Sequence, residues 1–177
     1  MSASGLPILR AYKRDEAAFL FERLKVWLPD EIRANPGHWR DVVHKRVAES
    51  GRWSNDGALD YAIEIDGRLV GAVQAQNGLF HLPPNVYELG IELYETADHG
   101  HGLGTAVLHQ FIPQVFQHSA LRLQGHTHIE NEPMRRLFRR FGFVQEGILQ
   151  DYWPLPDRCG DVALYALTAR NYANLSR

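Results

Sequence analysis

Cysteine is nearly absent: Cys159 is the only one among 177 residues, so no disulfide can form within the chain. That scarcity points to a reducing compartment. Long apolar runs are missing as well. None approaches the ~18 residues of a bilayer-spanning helix, so no such helix is expected. The opening residues, MSASGLPILRAYKRDE, reach charges before an apolar stretch of signal-peptide length builds up. A cytoplasmic location is therefore expected. Charge of one sign is also lacking. Nineteen Lys and Arg oppose 21 Asp and Glu, for a formal net charge of −2. Such a balance exerts no bulk pull on nucleic acid or on a membrane surface, and neither is an expected partner. Repeats, low-complexity tracts and linker-like stretches are not found. What is there is ordinary: 45% hydrophobic and 23% charged residues, enough for one domain, 1–177, with its own core.

The hydrophobic periods predict an α+β chain. Residues 6–12 read as a short first strand. RDEAAFLFERLKVWL, 14–28, reads as a helix with Ala17, Phe21, Leu24 and Leu28 on one face. HWRDVVHKRVAES, 38–50, reads as a second helix between loops rich in Gly, Pro, Asn and Asp. The period then becomes two. Leu59, Tyr61, Ile63 and Ile65 alternate with polar or small residues, the pattern of a half-buried strand. Asp66-Gly67 separates it from RLVGAVQAQ, which is a hairpin signal. Asn77-Gly78 marks the next turn. VYELGIEL, 86–93, sets Tyr87, Leu89, Ile91 and Leu93 on one face and Glu88, Gly90 and Glu92 on the other.

A helix beginning after residue 102 crosses over to LRLQGHTHI, 121–129, a strand expected to run parallel to 86–93. Pro113 sits inside that helix and removes the bond to the carbonyl of His109, so a kink or a split is expected there. Another helix starts at Asn131, with Met134, Leu137, Phe138 and Phe141 on its apolar face. Gly142 is placed as its left-handed cap, and Phe143 as the residue that folds back on the last turn. Two closing strands, near 143–152 and 161–168, flank PLPDRCG. The expected architecture is one domain: a mixed, mostly antiparallel sheet of about six to seven strands with a central parallel pair, flanked by about four helices.

The segment DHGHGLGTAVLHQF, 98–111, spends Gly100, Gly102 and Gly104 between a strand end and a helix start. A helix N-terminus leaves its first amides unpaired and carries about half a positive charge. Glycine lets an anion reach those amides without meeting a Cβ, so the combination reads as a backbone phosphate site. A ligand-free tight turn is the plain alternative. Dinucleotide-type spacing, G-x-G-x-x-G, is not met, and 121–124 read LRLQ where a ribose-binding acid would be needed. Gly104-Thr105 lacks the lysine of a P-loop.

These residues resemble the GNAT superfamily of acyl-CoA-dependent N-acetyltransferases, especially its branch of ribosomal-protein N-terminal acetyltransferases. The phosphate loop of that family, Gln/Arg-x-x-Gly-x-Gly/Ala, is matched by His99-Gly100-His101-Gly102-Leu103-Gly104. His99 replaces the usual Arg or Gln, which weakens one side-chain contact but not the backbone cradle. A second family element, an Asn followed by an amphipathic helix ending in Gly-Phe, is matched by Asn131 through Gly142-Phe143. The order of elements from 6 to 168 fits too.

The resemblance implies acetyl transfer from acetyl-CoA to a primary amine, on a peptide N-terminus or a small molecule, by direct attack in a ternary complex. It implies cofactor contacts at Leu93, His99, Gly100, His101, Gly102, Leu103, Gly104, Thr105 and Asn131. The pantetheine arm would lie where the strand ending near 93 diverges from the one beginning near 121, with a backbone N–H near Leu93 facing the developing oxyanion. Glu88 and Glu92 are the candidate catalytic carboxylates. Glu88 matches the family's acidic position better, and a solvated strand face is the alternative for both.

His126 and His128 share a face with Gln124 and are placed to relay a proton or bind the acceptor, or are plain polar strand positions. Phe138 stands seven residues after Asn131, where many members carry a tyrosine acid. No metal is expected, because the pair His99-x-His101 belongs to the glycine loop and no Cys or carboxylate spacing supports zinc. Arg135, Arg136, Arg139 and Arg140 form two i,i+4 pairs, either reaching the 3′-phosphate of CoA or lying on a solvated face. The acceptor would be shaped by residues 29–57, with Trp39 and Trp53, and by Tyr152-Trp153. An acyl-CoA-binding sensor without turnover is the alternative function. A homodimer stays open.

Overall fold

A computed structural model of the chain describes residues 5–25, 36–77, 82–154 and 158–175. The elements run β1 (Ile8–Arg10), a 3-10 turn (Arg14–Glu16), α1 (Ala17–Lys25), α2 (Pro36–Glu49), β2 (Ala58–Ile65), β3 (Arg68–Gln76) and β4 (Val86–Leu93). After a second 3-10 turn (Thr96–Asp98) come α3 (Leu103–Gln117), β5 (Arg122–His128), α4 (Glu132–Arg140), β6 (Val144–Pro154), β7 (Cys159–Thr168) and α5 (Ala169–Leu175). The seven strands form one sheet in the order β1-β2-β3-β4-β5-β7-β6. β4 and β5 run parallel, pairing only Val86–Glu88 with Arg122–Gln124. Beyond those residues the two strands go separate ways, and the sheet opens between them. No described helix is long and apolar enough to cross a membrane.

The sheet is covered on both faces. Leu59, Ile63, Val73, Leu89 and Leu123 pack with Val107, Leu108, Phe111 and Phe138 of α3 and α4. On the other face Ala62 and Ala72 pack with Leu20, Phe21, Val43 and Val47 of α1 and α2. β2 is therefore enclosed on both sides rather than half-buried. Its second face is read as small because a helix needs Ala62 there to come close. α2 is also tied down through Arg46, which pairs with buried Asp60 and lies over the Tyr12 ring, 5.3 Å from its centroid.

The expected turns and caps are found where they are described. Asp66 and Gly67 both adopt left-handed φ, +50° and +79°, as a two-residue hairpin turn requires. The Asn131 carboxamide caps α4 by accepting from the Met134 N–H at 3.2 Å. At the other end Gly142 has φ +77°, and the Phe143 N–H reaches back to the Phe138 carbonyl at 3.0 Å, a Schellman closure.

Three expectations shift. The first helix starts at Ala17 after its 3-10 turn; its predicted end at 26–28, the Gly78 turn residue and 155–157 of PLPDRCG lie outside the described residues. α3 is not split at Pro113. The carbonyl deprived of its partner belongs to exposed His109, where water can take the bond. A fifth helix, α5, follows β7 without interruption. Its signal is the Thr168 hydroxyl, which accepts from the Asn171 N–H at 3.2 Å.

Candidate active site

The glycine loop bridges the end of β4 and the start of α3. Gly100 and Gly102 both have φ +79°, and a Cβ added to either would meet nothing within 4 Å. Their glycine character answers a left-handed backbone, not crowding, and it leaves the space beyond them open. Gly102 is the N-cap of α3 and supplies no side-chain cap. The first amides of that helix thus have no partner inside it. Gly104 serves differently: an added Cβ would lie 3.1 Å from Leu137 Cδ2, so glycine here lets α3 approach α4.

Beside this helix start lies a cleft of about 710 Å³. Its lining takes in Leu93 of β4, His99, Gly100, Gly102, Leu103, Gly104 and Thr105 of the loop, and Asn131, Arg136 and Arg140 of α4. His101 is exposed and outside that lining. Of the arginine run, Arg135 and Arg139 are held by Glu132 at 3.1 and 2.5 Å. Arg136, which Glu132 reaches only at 3.8 Å, and Arg140 are the two that line the cleft. The loop is anchored from behind. Buried Asp98 accepts two bonds from Arg68, at 2.6 and 3.0 Å, which hold its carboxyl below the usual range. The His99 ring nitrogen Nε2 sits 3.3 Å from the Leu93 carbonyl, tying loop to strand end.

Where the pairing of β4 with β5 ends is a second cluster, made of side chains. Glu88 is 7% exposed. Its Oε1 lies 2.6 Å from Nδ1 of His126, and its Oε2 accepts from Gln124 at 3.0 Å. Gln124 in turn accepts from Arg122 at 2.8 Å, and Arg122 grips Glu146 of β6 with two bonds. The hydrogen bond to Glu88 raises the His126 pKa above 6.5, against the opposing effect of burial. Tyr152 and Trp153 of β6 stand beside the imidazole, with ring centroids 5.9 and 6.4 Å away.

Other candidates fall elsewhere. Glu92 shares the strand face of Glu88 but is exposed and pairs with Arg23 of α1. His128 is not part of the Glu88 cluster; its Nδ1 accepts from the Glu130 N–H at 3.3 Å. Trp39 lines a different cleft, under α2. Trp53 stacks on His118, with ring centroids 4.0 Å apart. Phe138 is buried between Phe143 and Tyr165, its ring centroid 5.0 Å from each. Its tip lies under Gly125, where a Cβ would come within 2.7 Å. It offers no proton. Sequence reasoning did not single out Asp98, Arg68, Arg122 or Glu146. The signal available was a buried acid flanking a glycine loop and a row of polar residues on one face of β5.

Comparison with known proteins fits this arrangement. Residues 8–144 match the family model described as an acetyltransferase (GNAT) domain. No curated protein matches the sequence at a significant level. Among solved structures, mutant forms of the spermidine/spermine N-acetyltransferase SpeG from Vibrio cholerae align with TM-score 0.75 and 19% identity, over 97% of this chain and 99% of that one. Mycobacterium smegmatis RimJ, solved with CoA-disulfide, aligns with TM-score 0.71 and 22% identity, over 99% of this chain and 91% of that one. A dodecameric spermidine N-acetyltransferase from Vibrio cholerae gives TM-score 0.74 at 19% identity, over 97% of this chain and 99% of that one. The match over 8–144, on a sheet that opens between β4 and β5 beside an uncapped glycine loop, places the chain in the GNAT family of acetyltransferases.

Proposed function

We propose that this acetyltransferase moves an acetyl group from acetyl-CoA to a primary amine, on a peptide N-terminus or a small molecule, by direct attack in a ternary complex. The observation that carries the reading is the uncapped start of α3. Its free amides and open glycines follow the end of β4, and the Glu88–His126 pair stands where β4 and β5 part. The residues fit the cofactor. Space remains where a Cβ would stand at Gly100 and Gly102, the amides of Leu103, Gly104 and Thr105 supply donors for a diphosphate, and Arg136 and Arg140 suit a further phosphate. When bound, acetyl-CoA supplies an activated acetyl thioester.

The chain's own residues do the rest. Leu93 ends β4 at the opening, and its backbone N–H is the donor for the charge that develops on the acetyl oxygen. His99 holds that strand end through the Leu93 carbonyl. The Glu88–His126 pair takes the proton from the amine. An α-amino group, with a pKa of ~8, asks less of that base than a lysine at ~10.4. The thiol that leaves has a pKa of ~8.5, so it departs as a thiolate without an acid at Phe138. The missing hydroxyl at Phe138 is the one observation that favours the second reading, an acyl-CoA sensor without turnover. Self-association, as a homodimer, is part of the proposal. The dodecamer formed by a protein of the same fold supports it.

Free-thiol release from acetyl-CoA with a panel of amines, paired with calorimetric titration of CoA, tests the reading. Amine-dependent release supports the enzyme. CoA binding without release supports the sensor. Absence of CoA binding overturns the cofactor assignment.

A further inference from the structure

Arg122, Gln124 and His126 alternate along one face of β5, and the parallel register sets Glu88 of β4 beside Gln124. A row of hydrogen bonds joins them. Arg122 Nε donates to Gln124 Oε1 at 2.8 Å, and Gln124 Nε2 donates to Glu88 Oε2 at 3.0 Å. Glu88 Oε1 then meets His126 Nδ1 at 2.6 Å. At the far end both terminal nitrogens of the Arg122 guanidinium bond to the Glu146 carboxylate. Glu146 is the extra residue where the register of β6 on β7 shifts between Gln145 and Gly147. A bulge of this kind re-aims a side chain.

The row has a direction. A guanidinium only donates, an ionised carboxylate only accepts, and a carboxamide does one at each end. With Arg122 on one side, Gln124 turns its oxygen to Arg122 and its nitrogen to Glu88. The reversed amide would set oxygen against carboxylate and NH2 against the Arg122 Nε–H. Glu146 keeps Arg122 from turning away, because it holds the other two guanidinium nitrogens. Glu88 thus receives a donor on Oε2 and keeps Oε1 for the Nδ1–H of His126. That bond puts the proton of the neutral imidazole on Nδ1.

The groups facing the row leave this order in place. β7 sets Thr168, Ala166 and Leu164 opposite Arg122, Gln124 and His126, and β3 sets Gln76 opposite Glu88, all uncharged. Tyr152 of β6 meets the imidazole edge-on. On α1 and α2, Arg23 pairs with Glu92 and Arg46 with Asp60. The Arg122 and Glu146 side chains are 23% and 39% exposed, a setting in which an ion pair adds little to stability.

We propose that Arg122 and Glu146 are positioning residues for the base: they fix which end of the Gln124 amide meets Glu88, and so hold Glu88 as the acceptor for the His126 Nδ1–H. The inference rests on the reading of Glu88–His126 as the base of acetyl transfer.

The test is the double variant Arg122→Met with Glu146→Gln, which removes the pair and leaves the net charge unchanged. Two-bond 1H–15N spectra follow the His126 imidazole in protein without CoA, its signal identified by its loss in His126→Gln. Neutral His126 should be the Nδ1–H tautomer in the wild type. In the double variant that preference should weaken, and the titration should move to lower pH, since the Glu88 bond that raises the His126 pKa is loosened. The rising limb of kcat against pH should move the same way. A misdirected base costs less than a deleted one, so kcat should fall about tenfold with KM for acetyl-CoA unchanged. A wild-type Nε2–H tautomer, an unaltered His126 titration or an unaltered kcat–pH profile overturns the proposal. A thermal melt checks that the double variant folds. Should it not fold, Gln124→Met decides, because it keeps the pair and removes the amide between. The same shift of the His126 titration supports the proposal there, and an unchanged titration overturns it. Failure of the acetyl-transfer reading shows separately, as absence of thiol release by the wild type, and the imidazole spectra still decide the positioning role.

Discussion

The Gly100–Thr105 loop and the Glu88–His126 pair lie at the two ends of the stretch over which β4 leaves β5, but one is made of backbone and the other of side chains. The loop is a single stretch of chain. Its donors are peptide amides, fixed once Gly100 and Gly102 take left-handed φ. The pair is an assembly. Glu88 comes from β4, Gln124 and His126 from β5, and the Glu146 behind them from β6. Side chains can be deleted one at a time, whereas amides are removed only by changing the path of the chain. Binding and chemistry should therefore be separable by mutation, and each prediction below tests that division.

The largest effect is expected on the side-chain half. Glu88→Gln keeps the shape and removes the carboxylate. Loss of a general base costs about 10²–10⁴-fold in kcat, and calorimetric CoA affinity should hold. If CoA binding weakens as much as kcat falls, the two halves are not independent. Gly102→Asp is the mirror case. It puts a Cβ in a left-handed position and a negative charge before the helix start. CoA affinity should drop at least tenfold, a loss of ~1.4 kcal/mol or more. Unchanged affinity in a folded variant would remove the phosphate role from the loop.

A smaller effect tests the arginines on the cleft side. Arg136→Ala with Arg140→Ala should weaken CoA several-fold but dephospho-CoA hardly at all. Equal losses for both ligands would place the two arginines elsewhere than the 3′-phosphate.

The finest distinction is a matter of pH. Glu88 raises the His126 pKa above 6.5, and only the neutral imidazole can accept a proton. Hence kcat should climb as pH rises through that raised value and then level off. In Glu88→Gln the residual activity should climb at lower pH, because the group that favoured the imidazolium is gone. No falling limb near pH ~10, the mark of a tyrosine acid, should appear. A falling limb abolished by Tyr152→Phe would show that a phenol of β6 supplies the proton.

The same division explains what could be read from sequence. The glycine loop was legible because all its information is local, although sequence reading gave the three glycines one purpose. The structure assigns Gly104 to helix packing. Alternation correctly set Glu88 and Glu92 on one face of β4. It could not tell that β5 pairs only as far as Glu88, leaving Glu92 to Arg23 of α1. His126 lies 38 positions from Glu88, and only the parallel register brings them together. Helical spacing sorted the four arginines into two pairs, but not which pair lines the cleft: Glu132 holds Arg135 and Arg139 closely and reaches Arg136 only at 3.8 Å. α5 has seven residues, too few for an apolar stripe to stand out. Pro113 does not split α3 although it lies in the helix interior, because the bond lost here belongs to a solvent-facing carbonyl.

The Arg68–Asp98 contact ties the β2–β3 hairpin to the glycine loop, and on the proposed function it gives that hairpin a mechanical part in cofactor capture. Arg68 is the first residue after the Asp66-Gly67 turn, and Asp98 is the last before the loop begins. One guanidinium thus forms a strut between a surface turn and the base of the glycine loop. Lengthening or reshaping that turn would swing the strut and slacken the loop, even though no atom of the turn lies in the cleft. On the proposed reading, a hairpin outside the cleft would thus help set the affinity for CoA.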